Sequence, residues 1–438
     1  MGKILQFWTE IRSGFWLIPS ILVIASILLA IGMIELDQMM DPGLREKYPR
    51  LFAADAEGSR TMLSAIAGSM ITVAGVVFSI TIVALTLAST QYTSRILRTF
   101  MRDIANQVVL GVFVGVFCYC LVVLRTLSGG NKDQFTPSSA VLIAVVLAFI
   151  AIGFLIFFIH HIAATIQASE IISEITDETI EAIDSLFPNE LAEEIGDEDK
   201  DERVESLPEK NWQEVPSLSR GYIQKIAITS VLDFARDKDV VVRMEKEIGE
   251  FVVKGRPLAY LSLNHQPDKE TVKKLNAAYD IDSYRTVDQD AAFGIRQLVD
   301  IALKALSPGI NDTSTAVICI DHLSAILQRA APRRGESKYC FEEGKVRMIA
   351  KRPAFQDLLR QSYNQILENG EGNVAVIKRM IDAIEEISGV TRIPARRRAL
   401  NEQLKVISEA AERSIKDSSS RREVGEQISR VSVVLDEE

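Results

Sequence analysis

The residues best suited to chemistry lie between positions 290 and 316, in a stretch that combines charged residues, short polar residues, Pro and Gly. Within it, the run Ser307-Pro-Gly-Ile-Asn-Asp312 is predicted to end one helix, because Pro and Gly commonly follow a helix C-terminus. Asp312 or Thr313 then caps the next helix. Free backbone amides, short polar side chains and a helix N-terminus can together hold an anion or a polar ligand.

This stretch supplies a candidate ligand loop with two interpretations. It is either a ligand site or a capped helix–turn–helix that braces the domain. The candidate residues are Arg296, Asp300, Ser307, Asn311 and Asp312.

A second pattern lies in a chargeless run from Thr61 to Ser94, where small and hydroxyl residues recur at steps of three and four. We call this face the small-residue stripe; its members are Gly68, Thr72, Gly75, Ser79 and Thr86. Small residues allow close helix packing in membranes, and hydroxyls can bond within or between helices. The alternative is a water-filled path in which hydroxyls partly replace the hydration of an ion. The lack of charge argues against a proton relay.

A basic cluster follows the stripe at helical spacing and comprises Arg95, Arg98 and Arg102. It is typical of side chains that reach lipid headgroups and set topology. The alternative is a basic vestibule that concentrates anions or binds an anionic lipid.

Catalytic and metal-binding signatures are missing from the sequence. It has no G-x-S-x-G, Walker loop, dinucleotide-binding fingerprint or H-E-x-x-H. The four cysteines are too scattered for a zinc site or a disulfide framework. The adjacent His160 and His161 project about 100° apart on a helix, given about 3.6 residues per turn, which favours interfacial packing over a shared metal. We therefore predict no catalytic residues, no metal and no cofactor, and consider an enzyme the less expected class.

The elements that carry these residues begin with a transmembrane domain over 1–160. About 20 apolar residues cross a bilayer, and four segments qualify. The predicted spans are about 15–34, 63–88, 108–124 and 138–159.

Positive charge predicts the orientation. The 95–106 loop carries three arginines, and Lys3 and Arg12 precede the first span, which favours a cytoplasmic location for both. The opposing 35–60 loop also carries four bases, which weakens this bias. We predict a bacterial inner-membrane protein with both termini cytoplasmic.

The second half of the chain is polar. Apolar residues at helical spacing predict an amphipathic extension over 161–187, followed by an acidic linker over 188–218. Fifteen acids and two bases fall between Glu170 and Glu205, a local charge of −13 that argues against nucleic acid as a partner. A cytoplasmic α+β domain is predicted over 219–438. Its Gly249–Leu258 pattern resembles half of a biotinyl/lipoyl-like hairpin and predicts a small β-barrel-like portion.

Several runs resemble one family of bacterial predicted membrane proteins, grouped as domain of unknown function 2254. They include Ser13-Gly-Phe-Trp16, Thr72-Val-Ala-Gly-Val-Val-Phe-Ser-Ile80, Asn106-Gln-Val-Val-Leu-Gly111, Phe157-Phe-Ile-His-His-Ile162 and the Phe293–Asp312 stretch. The resemblance implies a membrane location and this architecture. It implies no reaction and assigns no functional residues.

The leading functional hypothesis is a gated pore or transport-like protein, with the small-residue stripe lining the path and the cytoplasmic domain controlling it. The alternative is a membrane-anchored sensor or scaffold that binds a ligand or partner, and a lipid-acting enzyme comes third. The expected partners are the lipid bilayer, including anionic headgroups, and further copies of the chain in a homo-oligomer.

Overall fold

A computed structural model describes most of the chain, which divides into two compact units, Met1–Glu170 and Ile171–Glu438. The described residues are 16–39, 56–91, 103–127, 137–165, 167–186, 211–333, 339–342 and 345–436. The basic cluster of Arg95, Arg98 and Arg102 lies outside them, as does the predicted linker up to residue 210.

The first unit contains four helices that are long and apolar enough to cross a membrane, which confirms the predicted four-span domain. They are α1 (Leu17–Met39), α2 (Ala56–Gln91), α3 (Ile104–Leu127) and α4 (Ser138–Thr165). Each of the four helices extends beyond its predicted span at one end or both.

Helix α3 is the most buried of the four, and its glycines let α1 approach closely. A Cβ atom added at Gly111 would lie 2.6 Å from the Leu22 side chain and 3.0 Å from the Cα of Pro19. One added at Gly115 would lie 2.6 Å from Ser26 Oγ. Close contact of this kind substitutes for the hydrophobic effect between helices in lipid.

Side chains from neighbouring helices satisfy the helix ends of this unit. The buried carboxylate of Asp37 accepts hydrogen bonds from the Ser139 and Ala140 amides at the start of α4, at 3.2 and 3.0 Å. Arg60 donates to the Leu127 carbonyl at the end of α3, at 2.7 Å. These bonds matter because free backbone groups have no water partners within the hydrocarbon.

The second unit contains both helices and strands, as the predicted α+β class requires. Its helices are α5 (Ala168–Leu186), α6 (Ile228–Asp237), α7 (Lys269–Asn276), α8 (Ala291–Ala305), α9 (Thr313–Ala330), α10 (Phe355–Asn369), α11 (Val374–Val390), α12 (Pro394–Ser414) and α13 (Ser418–Asp436). Its strands are β1 (Trp212–Pro216), β2 (Gly221–Ile226), β3 (Val242–Met244), β4 (Phe251–Val252), β5 (Pro257–Ser262), β6 (Tyr279–Asp282), β7 (Tyr339–Glu342) and β8 (Lys345–Ile349). Strand β1 occupies the last residues of the stretch predicted to be linker.

The strands form two open sheets, so the β-barrel-like expectation is not supported. The sheet orders are β1-β5-β3-β8-β7 and β4-β2-β6. The Gly249–Leu258 segment divides between them: β4 pairs with β2, whereas β5 pairs with β1 and β3. The chain therefore crosses from one sheet to the other where a closed hairpin was expected.

Candidate functional site

The 307–312 loop directs most of its polar groups back into its own turn. Asp312 caps α9 by accepting bonds from the amide and hydroxyl of Thr315, at 3.0 and 2.6 Å. These bonds hold the pKa of Asp312 below its ordinary value. Ser307 Oγ donates to the Lys304 carbonyl at 2.6 Å, and Asn311 takes the left-handed conformation at φ 51°. The loop is thus closed by local bonds.

The side chains of Arg296 and Asp300 bind partners outside this loop. They form an ion pair at 2.6 Å on α8, and Arg296 also donates to Gln365 on α10. With a rise of about 1.5 Å per residue, Asp300 lies roughly 10 Å along the axis before Ser307. The predicted ligand residues therefore fall into two groups.

The small-residue stripe lies on the exposed face of α2 within its unit. In the described part of the chain, no atom outside the α2 backbone lies within 4 Å of a Cβ added at Gly68 or Gly75, and Ser79 is exposed. Thr72 and Thr86 donate to carbonyls four residues earlier, each at 2.8 Å. Close packing inside the subunit is carried by the α3 glycines, which the sequence analysis did not single out.

The histidine pair divides between two environments. His161 lies 2.6 Å from Asp103, a residue that also accepts from the Ala105 amide at the start of α3. His160 is exposed. Among the residues that the structure describes, no group of three potential metal ligands is present.

A cavity of about 300 Å³ lies at the start of α8. We call it the Asp290 cavity. Its charged lining consists of Glu247, Glu250, Arg285, Asp290, Lys351 and Arg352. Its apolar lining includes Ile226, Ile228, Met244, Ile248, Ala350 and Pro353, and Ser185 of α5 also lines it. The cavity thus combines charged groups that can orient a small molecule with apolar surface that can bury part of it.

Asp290 joins the cavity wall to helix α8. Its carboxylate accepts from the Phe293 amide at 2.9 Å and caps the helix. Arg285 donates to both of its oxygens, at 2.8 and 2.9 Å. Burial raises the pKa of Asp290, although the bonds from Arg285 oppose that shift.

Glu250 is the centre of a second cluster of charged side chains in the cavity wall. It accepts from Lys351 at 2.8 Å, from the Glu247 amide at 2.8 Å and from Lys246 at 3.1 Å. Burial alone would raise the pKa of Glu250, but these bonds outweigh it and lower the pKa.

Glu247 differs from its neighbours in this wall. Burial is the main cause that raises the pKa of its carboxyl, and the nearby Glu250 and Asp290 add to it, whereas Lys351 opposes it. No residue in the described part of the chain donates a hydrogen bond to its carboxylate. Glu247 is therefore the cavity acid whose charge is least compensated.

Helix α5 packs on α8 and α9 through three contacts. A Cβ added at Gly294 would overlap the buried Thr179 side chain, so α5 requires glycine there. His322 Nδ1 lies 2.8 Å from the Thr176 hydroxyl, which itself donates to a helix carbonyl.

The third contact lies near the C-terminal end of α5. Asp184 pairs with Arg329 at 2.8 Å and with Arg333 at 2.7 Å. These three contacts hold the second half of α5, between Thr176 and Asp184.

The cavity walls come from distant segments, near residues 226–228, 244–250, 285–292 and 350–353. Sequence reasoning noted the Gly249 pattern and the stretch that starts at Asp290, but it did not join them. Only the fold brings Glu247 and Asp290 into one wall. The one available signal was the concentration of charged, short polar, Gly and Pro residues in the stretch that begins at Asp290.

Comparison with known proteins shows what kind of protein this fold belongs to. A family model described as "Predicted membrane protein (DUF2254)" matches residues 12–386. The chain belongs to this family. The predicted resemblance and the membrane location are thereby confirmed, and every lining residue of the Asp290 cavity lies inside the matched range of this DUF2254 protein.

Relatives in this family extend over most of the chain. Uncharacterized proteins of Mycobacterium tuberculosis and Mycobacterium bovis are 31% identical to it over 386 residues. The alignments cover 85% of this chain and 71% of each relative. No solved structure is significantly similar to this DUF2254 protein.

Proposed function

We propose that this protein is a ligand-responsive membrane protein. A small molecule occupies the Asp290 cavity, and helix α5 carries the resulting change toward the membrane helices. The single observation behind this proposal is that α5 contributes Ser185 to the cavity lining and also follows α4 in the chain, since α4 ends at Thr165 and α5 begins at Ala168.

The packing of α5 supports its role as the transmitting element. Thr179 meets Gly294 one turn after the α8 cap at Asp290, so a shift of that cap on ligand binding displaces the surface on which α5 rests. Close-packed contacts transmit such shifts because they are not continuously deformable.

Ligand retention tests the binding half of the proposal. Ala350 lines the cavity, and Ala350→Phe fills it. Ala277, exposed at the end of α7, gives the matched control Ala277→Phe. Protein purified in mild detergent is denatured, and released small molecules are identified by mass spectrometry. We expect a compound from wild type and Ala277→Phe that is missing from Ala350→Phe. The same compounds released from all three proteins would contradict the proposal.

A gated pore is the second candidate, and the exposure of the small-residue stripe favours it. A stripe buried within its own subunit could not line a path between copies, whereas Gly68, Gly75 and Ser79 are all exposed. We propose that copies of the chain meet along this stripe in a homo-oligomer, with the cavity-bearing domain controlling the path.

Ion flux in liposomes tests the pore. Wild type passes small ions, and Ser79→Leu blocks them while leaving the fold and oligomer intact. Ile71→Leu, at an exposed position outside the stripe, is the control with unchanged flux. If wild type passes nothing and Gly75→Leu dissociates the oligomer, the stripe is a packing surface only.

We also propose an inner-membrane location with both termini cytoplasmic, and binding of anionic headgroups by Arg95, Arg98 and Arg102. The orientation rests on the arginine-rich 95–106 loop. Single cysteines at Asp41 and Asn131, in a background without native cysteines, should react with an impermeant thiol reagent in intact cells. Labelling of a cysteine at the exposed Ser219 in their place would reverse the orientation.

A further inference from the structure

The Asp290 cavity contains one acid that the protein leaves without a counter-charge in direct contact. Asp290 is bound through both oxygens by Arg285, and Glu250 is bound by Lys246 and Lys351. For the Glu247 carboxylate, the described residues supply no hydrogen-bond donor. A half-buried carboxylate in this condition is costly, because it has lost water and gained no partner.

The cavity cations offer much less to a ligand than this acid does. Arg285 and Lys351 already bind Asp290 and Glu250, so an anion would have to displace those carboxylates. The third cation of the lining, Arg352, is likewise already engaged in an interaction. The described residues also lack a cluster of three potential metal ligands. A group that neutralises Glu247 without disturbing these pairs must therefore be a hydrogen-bond donor with positive charge.

The apolar lining restricts the rest of the ligand. The same cavity is lined by four side chains that offer a ligand no polar partner: Ile226, Met244, Ile248 and Ala350. Contact with these residues favours a hydrocarbon body, because its apolar surface is removed from water. A volume of about 300 Å³ limits that body to a small one.

We propose that the cavity binds a small organic cation, a primary ammonium or guanidinium group on a short apolar body. The cationic nitrogen donates to the Glu247 carboxylate, and the hydrocarbon lies against Ile226, Met244 and Ile248. Charge-assisted bonds of this kind are shorter and roughly twice as strong as neutral ones. This inference names the ligand class of the proposed function and rests on it for the role of the cavity.

Three probes of equal chain length test the ligand class: n-butylamine, n-butanol and n-butyrate. Their binding to the full-length protein in detergent is measured by ligand-detected NMR at near-neutral pH. We expect n-butylamine to bind at least about tenfold more tightly than the other two, a difference of about 1.4 kcal/mol. Glu247→Gln should reduce that preference to within about twofold, since the amide is neutral. Glu245→Gln, at an exposed position outside the cavity, should leave it unchanged.

The other outcomes separate the ligand class from the proposed function. If all three probes bind equally and Ala350→Phe abolishes their binding, the cavity is a binding site but its ligand need not be a cation. That result overturns the inference about the ligand class. If n-butylamine binds in a way that depends on Glu247 but leaves deuterium uptake over α5 unchanged, the ligand class stands. The proposal that α5 carries a change toward the membrane helices is then overturned. An amine preference that survives in Glu247→Gln, or no binding of n-butylamine at all, overturns the inference. Thermal melting of each variant confirms that the fold is intact.

Discussion

The two ends of helix α8 carry two candidate sites that use similar residues differently. At the start, Asp290 caps the helix inside a cavity and is held by Arg285. At the end, Asp312 caps the following helix within a loop that is closed by its own bonds. Burial raises the pKa of Asp290, whereas local hydrogen bonds lower that of Asp312.

This difference distinguishes a turn from a binding site. Polar residues clustered over a few positions can satisfy one another locally, as Ser307 and Asp312 largely do. Polar residues that meet from distant segments leave a group such as Glu247 facing a cavity. Local density of special residues therefore indicates a turn at least as readily as a ligand site.

Removing the two caps should produce the largest contrast. Asp290→Ala leaves Arg285 without its buried partner and removes a cap, so we expect a loss of about 3 kcal/mol in the free energy of unfolding. Urea unfolding followed by Trp212 fluorescence, with Trp8 and Trp16 replaced by Phe, measures this loss. Asp290→Asn keeps the capping oxygen and should cost less. Equal losses in Asp290→Ala and Asp312→Ala would remove the contrast.

Replacing the glycine near the start of α8 should reduce stability more than replacing the glycine just after its end. Gly294→Ala forces the added methyl against Thr179, and overpacking of this kind costs about 1–3 kcal/mol. Gly309 has no atom within 4 Å of an added Cβ, so Gly309→Ala should change stability by less than about 1 kcal/mol. Adding Thr179→Ala to Gly294→Ala should restore part of the loss. Without such rescue, the α5 contact is not the cause.

The loop cap itself should have a moderate effect. Asp312→Ala should reduce the stability of the soluble unit by about 0.5–2 kcal/mol, the usual range for a lost cap. Thermal and urea unfolding measure it. If Asp312→Ala leaves stability unchanged but abolishes ligand binding, the 307–312 loop is a ligand site. The contrast between a binding cavity at the start of α8 and a closed turn at its end would then be wrong.

The smallest expected effect is a pH dependence at the α5 contact. Burial lowers the pKa of His322 below its ordinary value near 6.5, while Asp321 and Asp177 oppose the shift. A depressed pKa means that folding favours the neutral ring. Its contribution to stability is therefore complete above about pH 6.5 and is lost as pH falls through the lower folded-state value. After correction for the pH dependence of intrinsic amide exchange, deuterium uptake over α5 should rise in wild type as pH falls through this range. It should stay flat in His322→Asn, which cannot titrate, whereas an identical rise in both would exclude His322.

Sequence reasoning captured what depends on local composition. The four spans follow from apolar length, and the cap at Asp312 follows from a short polar residue after a helix break. It missed the close contacts of Gly111 and Gly115, because a glycine in an apolar helix does not show which neighbour it meets. The barrel-like expectation was not supported, since a turn pattern does not specify which strands pair.

Deuterium exchange over 155–186 tests the central claim, that the state of the Asp290 cavity reaches the membrane helices through α5. Full-length wild type, Ala350→Phe and Ala277→Phe are compared in the same detergent. The account predicts that filling the cavity with Ala350→Phe changes uptake in α5 and in the last turns of α4, while Ala277→Phe matches wild type. A change confined to the cavity walls, with α5 and α4 unaltered, would contradict it.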